Sequence, residues 1–201
     1  MKILRIAFVL SLFINTSCIQ MLSEATKEIS NSSYEASETT SEGAYKTVTI
    51  DSLYQLDVPK YMKDMPSLHP EASLEYANIY KETYSVVIHE DKQYFIDVFK
   101  EIDEYNDSLS VLENYTIVQK KSLKESLIKT RIQDYGLSEI NGIPARQIKV
   151  FGTVEGIDAF YIIAFVEGKD NLYMIMNWTL ENRKDKYENA FEYINGTFKI
   201  I

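Results

Sequence analysis

Two stretches, Ala159-Phe-Tyr-Ile-Ile-Ala-Phe-Val166 and Leu172-Tyr-Met-Ile-Met-Asn-Trp178, decide the fold. A strand sends successive side chains to opposite faces. In the first stretch both alternating sets are apolar, Ala159, Tyr161, Ile163 and Phe165 against Phe160, Ile162, Ala164 and Val166. The second does much the same, with Leu172, Met174, Met176 and Trp178 opposite Tyr173 and Ile175. Strands of this kind are covered on both faces. The spacing predicts strands over Ile157 to Glu167 and Leu172 to Thr179, preceded by Arg131 to Glu139 and Ala145 to Val154. Asn141-Gly142, Glu155-Gly156 and Gly168 to Asn171 are the turns of this meander. In Ala145 to Phe151, Ile148 and Val150 alternate with Gln147 and Lys149, a pattern that belongs nearer an edge.

Upstream, short strands fit Tyr45 to Ile50, Leu53 to Val58 (stopped by Pro59), Ser73 to Ile79 and Thr83 to His89, the last two joined at Tyr80 to Glu82. The period then changes. Tyr94, Phe95, Val98, Phe99, Ile102 and Tyr105 share one face of a helix from about Lys92, with Asp91 as its cap. A second helical region runs from about Ser108 to Thr130, broken or kinked midway, with Ser122 and Glu125 forming a capping-box pattern for its later half. A final helix fits Asn182 to Ile194, with Tyr187, Ala190, Phe191 and Ile194 at helical spacing and Asn195-Gly196 closing it. The expected domain, residues 44–201, is therefore α+β: a central, mostly antiparallel sheet with helices on both faces, an α/β/α sandwich.

Ahead of it lies an address. Lys2 and Arg5 precede the apolar run Ile6 to Ile14, and Asn15-Thr16-Ser17 leads into Cys18, the only cysteine of the 201 residues. These nine residues, interrupted only by Ser11, span about 13 to 14 Å as a helix, less than half of a hydrocarbon core, so residues 1–17 read as a signal peptide. The Thr16-Ser17-Cys18 junction resembles a bacterial lipoprotein lipobox, although Asn15 stands where the usual pattern has Leu. Such relaxed lipoboxes are familiar in the Bacteroidetes. The resemblance implies a lipid-modified Cys18, carrying diacylglycerol and a palmitate-type acyl chain, as the first mature residue. Cleavage takes the net charge from −9 to −11 by removing Lys2 and Arg5. Residues 18–43, rich in Ser, Thr and Glu with Lys27 their only base, read as a flexible tether.

The segments Tyr54-Gln-Leu-Asp-Val-Pro59, Asn141-Gly-Ile-Pro-Ala145, Trp178-Thr-Leu-Glu181 through Phe191, and Thr197-Phe-Lys199 fall in an element order that resembles the PsbP-like family. That family includes the extrinsic photosystem II PsbP proteins and shares its fold with a Ran-binding nuclear import factor. The resemblance implies a fold rather than a set of site residues.

Chemistry is sparse. Thirty acidic against 21 basic residues argue against a nucleic-acid surface. No nucleophile elbow, phosphate loop or dinucleotide fingerprint occurs, and a domain without cysteine has neither a thiol nucleophile nor a cysteine-ligated zinc. His69 sits in a loop, and His89-Glu90-Asp91 ends a strand without the second histidine of His-Glu-x-x-His. No catalytic residue, metal ligand or cofactor is expected. Tyr161, Tyr173 and Trp178 are the candidates for a ligand cleft or an interface. The reading is a non-catalytic binding or assembly module, lipid-anchored in the cell envelope on the periplasmic face of an outer membrane, with the membrane and an envelope protein as partners. The alternative is a small-ligand carrier or hydrolase with a pocket of Tyr and carboxylate groups.

Overall fold

The computed structural model describes Glu38 and residues 40–201, so the signal segment and Cys18 lie outside the described residues. The chain runs β1 (Tyr45–Ile50), β2 (Tyr54–Pro59), β3 (Lys63–Asp64), β4 (Ala72–Asn78) and β5 (Thr83–Asp91), then helices α1 (Lys92–Glu101) and α2 (Val111–Ser126). It continues through β6 (Ile128–Asp134), β7 (Glu139–Ile140), β8 (Ile143–Val154), β9 (Ile157–Glu167) and β10 (Asn171–Leu180), and ends with α3 (Lys184–Gly196) and β11 (Lys199–Ile200). The main sheet has the order β3-β4-β5-β10-β9-β8-β6, with β7 paired to β8, and every pairing is antiparallel.

The expected sandwich is present, and the alternation in β9 and β10 sorts its two cores. Ile163, Phe165, Leu172, Met174, Met176 and Trp178 face α1 and α2, meeting Phe95, Phe99, Tyr115 and Leu123. Phe160, Ile162, Ala164, Val166, Tyr173 and Ile175 face the other way, against Tyr187, Phe191 and Ile194 of α3 and Tyr54, Leu56 and Val58 of β2. That second face differs from expectation. β1 and β2 leave the main sheet and pair with β11 to make a separate three-stranded sheet beside α3. Lys199 pairs with Gln55 there, a partnership of residues from opposite ends of the domain.

Local signals explain most of the remaining boundaries. Asn141 and Gly142, and likewise Glu155 and Gly156, all have positive φ, as tight hairpin turns between twisted strands require. Asp91 caps α1 by accepting from Tyr94 N at 2.7 Å. The second helix is unbroken, and its capping box is formed by Ser110 and Glu113 rather than Ser122 and Glu125. Ser122 lies inside the helix and is buried, because Leu112, Tyr115, Gln119 and Leu123 hold one face straight through the expected break. Where α2 ends, Leu127 crosses Gly152 so closely that a Cβ there would stand 2.9 Å from Leu127 Cβ. Among the described residues no helix is long and apolar enough to cross a membrane.

Candidate functional site

The sheet separates the aromatic candidates. Trp178 pairs with Tyr161 across β10 and β9, and its ring stacks on Tyr84 at 4.9 Å and on Tyr161 at 6.2 Å. This row is part of the core under the two early helices, and Trp178 is 8% exposed. Tyr173 lies on the opposite face, packed between Tyr54 and Phe198 at 5.6 and 5.1 Å. Successive strand residues point apart, so Tyr173 cannot share a cleft with Tyr161 and Trp178.

The same rule divides His89-Glu90-Asp91. Asp91 is the helix cap, and His89 points to the face of Tyr173, 6.1 Å ring to ring. Glu90 points into the α2 side, toward Tyr115 and Gln119. Tyr115 and Gln119 are buried, and neither the Tyr115 hydroxyl nor Gln119 Oε1 makes a well-formed hydrogen bond. Burial pushes the Glu90 carboxyl up to about 7, with the Tyr115 hydroxyl pulling the other way. His69 Nδ1 accepts from Glu71 N at 3.2 Å, which ties it into its own loop. Among the described residues no group of three or more His, Cys, Asp or Glu is placed to hold a metal ion.

A third arrangement gave no motif in the sequence. On the α3 face, one end of β5 and β10 carries Thr83, Ser85, Asn177 and Thr179, with Ser85 opposite Asn177. Asn177 Nδ2 donates to Asn195 Oδ1 and Asn195 Nδ2 donates to Gln147 Oε1, both at 2.8 Å, a buried polar chain joining the sheet to α3. Tyr61 and Tyr187 stand over the Thr83 end, with Tyr45 nearby around Glu38. Burial, and after it the negative charge of Glu38, pushes the Tyr187 hydroxyl up to about 12. Tyr61 is raised by the same two causes.

Glu38, a residue of the expected tether, is fixed at this end. Its backbone N–H donates to the Lys186 carbonyl at 2.8 Å, and its carboxylate pairs with Lys81 Nζ at 2.8 Å. Arg183 pairs with the nearly buried Glu82 at 3.0 Å. Beyond this ring of charges, the β4–β5 turn holds Tyr80 at 86% exposure and Ile79 at 38%.

A polar cleft of about 290 Å³ also lies between β1, β2 and the end of α3. Its groups bond to one another: Thr47 Oγ1 to Asp57 at 2.6 Å, Asp57 N to Thr197 Oγ1 at 2.9 Å, and Asn141 Nδ2 to the carbonyls of Gly196 and Phe198 at 2.9 and 2.8 Å. It is a joint between the small sheet and α3.

An antiparallel sheet with two helices on one face, and a helix beside a small sheet on the other, makes this a PsbP/Mog1-like α+β fold. The solution structure of cyanobacterial PsbP (CyanoP) from Synechocystis aligns with a TM-score of 0.53 at 12% identity, over 84% of this chain and 99% of that one. The Saccharomyces cerevisiae Ran-binding protein Mog1p aligns with a TM-score of 0.51 at 11% identity, over 78% and 95%. LpqN of Mycobacterium tuberculosis, a protein involved in cell envelope biogenesis, gives 0.49 at 13% identity, over 82% and 98%. At such identities the likeness is one of fold. No family model matches the sequence, and no curated protein does.

Proposed function

We propose that this chain is a non-catalytic binding module of the cell envelope, moored by a lipid on Cys18 to the periplasmic face of the outer membrane, that meets a protein partner with its β4–β5 turn. The observation that carries the reading is the adjacent pair Ile79 and Tyr80, two large apolar side chains held out in solvent on a turn. Folding gains nothing from an aromatic ring left in water, and Tyr is among the residues that anchor interfaces. Mog1p, by its name a Ran-binding protein, supports the use of this fold for protein contact.

Two experiments test the two halves. A photo-cross-linking amino acid at Tyr80, in cells of the source organism, is expected to give a discrete adduct that the same group at Lys169, at the far end of the strands, does not. Equal labelling at both sites, or none at Tyr80, overturns the contact. For the mooring, mass spectrometry of the mature N-terminus is expected to find an acylated Cys18, and Cys18→Ala is expected to lose that mass and move to the soluble fraction. A mature chain that begins elsewhere without acyl chains overturns the anchor.

A further inference from the structure

The strands β5 and β10 carry a polar patch on the face that α3 covers. Along β5 and β10 the α3 face reads Val87 and Ile175 in its middle, then turns polar at Ser85 and Asn177 and at Thr83 and Thr179. All four polar residues are buried; Thr83 meets the Tyr61 hydroxyl, while Ser85 Oγ, Asn177 Oδ1 and Thr179 Oγ1 have no hydrogen-bond partner within the protein. The hydroxyls of Tyr61 and Tyr187 descend on the same end from the layer above, Tyr61 toward Thr83 and Tyr187 toward Arg183. An unpaired buried hydroxyl costs stability, and packing alone would be served better by Val or Ala at these strand positions. Departures of this kind mark sites rather than scaffolds.

The chemistry of the lining selects what it can hold. Hydroxyls both donate and accept, while Asn177, whose Nδ2 donates to Asn195, keeps its Oδ1 as an unpaired acceptor. An occupant must therefore bring at least one donor. The charged groups at the rim are already paired, Lys81 with Glu38 and Arg183 with Glu82, so an ion would enter without a free counter-charge. We infer that this seam beneath the start of α3 is a binding site for a small neutral hydroxyl-bearing molecule, a polyol or solvent water, held by Ser85, Thr179 and Asn177 beneath Tyr61 and Tyr187, with Glu38 across its mouth. It is independent of the partner contact at Tyr80.

The test is a titration of the full chain with myo-inositol, followed by NMR on the methyl signals of Thr83 and Thr179 and the ring of Tyr61. The expected result is a saturable shift confined to those signals, which Thr179→Val weakens about fivefold, the loss of one neutral hydrogen bond. If the polyol gives no saturable shift, cross-relaxation from long-lived water to the same residues, with a Tm about 3 °C lower in Thr179→Val, assigns the seam to solvent. The inference is overturned by a seam with neither response, in which Thr179→Val raises Tm, as relief of an unpaired hydroxyl does. Ser85→Ala provides the same comparison should Thr179→Val fail to fold.

Discussion

Asn195→Leu is expected to lower the stability of the domain by about 2 to 6 kcal/mol, because it strands two buried polar groups at once, each worth about 1 to 3 kcal/mol when unpaired. Asn195 sits on α3 with no exposure, and its amide links Asn177 on β10 to Gln147 on β8 through bonds of 2.8 Å on each side. The substitution leaves Asn177 Nδ2 without an acceptor and Gln147 Oε1 without a donor. Urea unfolding, monitored by tryptophan fluorescence and by circular dichroism, measures the loss. The triple variant Gln147→Leu, Asn177→Leu, Asn195→Leu is expected to recover most of it, since removing all the partners removes the desolvation penalty with them. A single variant within 1 kcal/mol of the parent would show that the chain is not what fastens α3 to the sheet.

The second large effect depends on pH. The Glu90 carboxyl is held at about 7 in the folded domain against 4.5 for a free glutamate, so the fold prefers its neutral form. That contribution is complete below pH 4.5 and is lost as pH climbs through about 7. With each pKa unit worth 1.36 kcal/mol, the swing is about 3 kcal/mol at most. The cause is geometric. Glu90 shares its row with Leu172 of β10 and faces Tyr115 and Gln119 of α2, groups that offer an ionised carboxylate no counter-charge. Glu90→Gln is expected to flatten the fall in stability between pH 5 and 8 and to leave the variant the more stable of the two at pH 8. A difference from the parent that stays constant across that range would remove Glu90 as its source.

What could be read from the sequence was whatever depends on period. The two-sided alternation of β9 and β10 gave the correct partition of side chains between two cores, and Asn141-Gly142 and Glu155-Gly156 gave their turns. Pairing between distant segments is another matter. Tyr54-Gln-Leu-Asp-Val-Pro59 declares which residues are buried but not which sheet receives them, and its partner β11 is only two residues long. In α2, buried Asn114, Gln119 and Ser122 dilute the apolar stripe, so the helix looked broken where it is continuous. The polar seam failed to show for a similar reason. Thr and Ser are ordinary strand residues, and only the register of β5 with β10 brings theirs together beneath two tyrosines. Glu90 carried one signal, its place one residue before a helix cap, and nothing in the spacing told that α2 would cover it.

The neighbourhood of β5 and β10 also governs the order of assembly. β8, β9 and β10 can zip by short hairpins, and so can β4 with Thr83–Asp91, but the other edge of Thr83–Asp91 must wait for a partner 80 to 94 residues away. Until β10 arrives, the edge of β5 that it will occupy is an unpaired template. Two half-folded copies that meet at this stage can complete each other's sheets, so a domain-swapped dimer exchanged between α2 and β8 is the misassembly to watch for when the protein is refolded at high concentration.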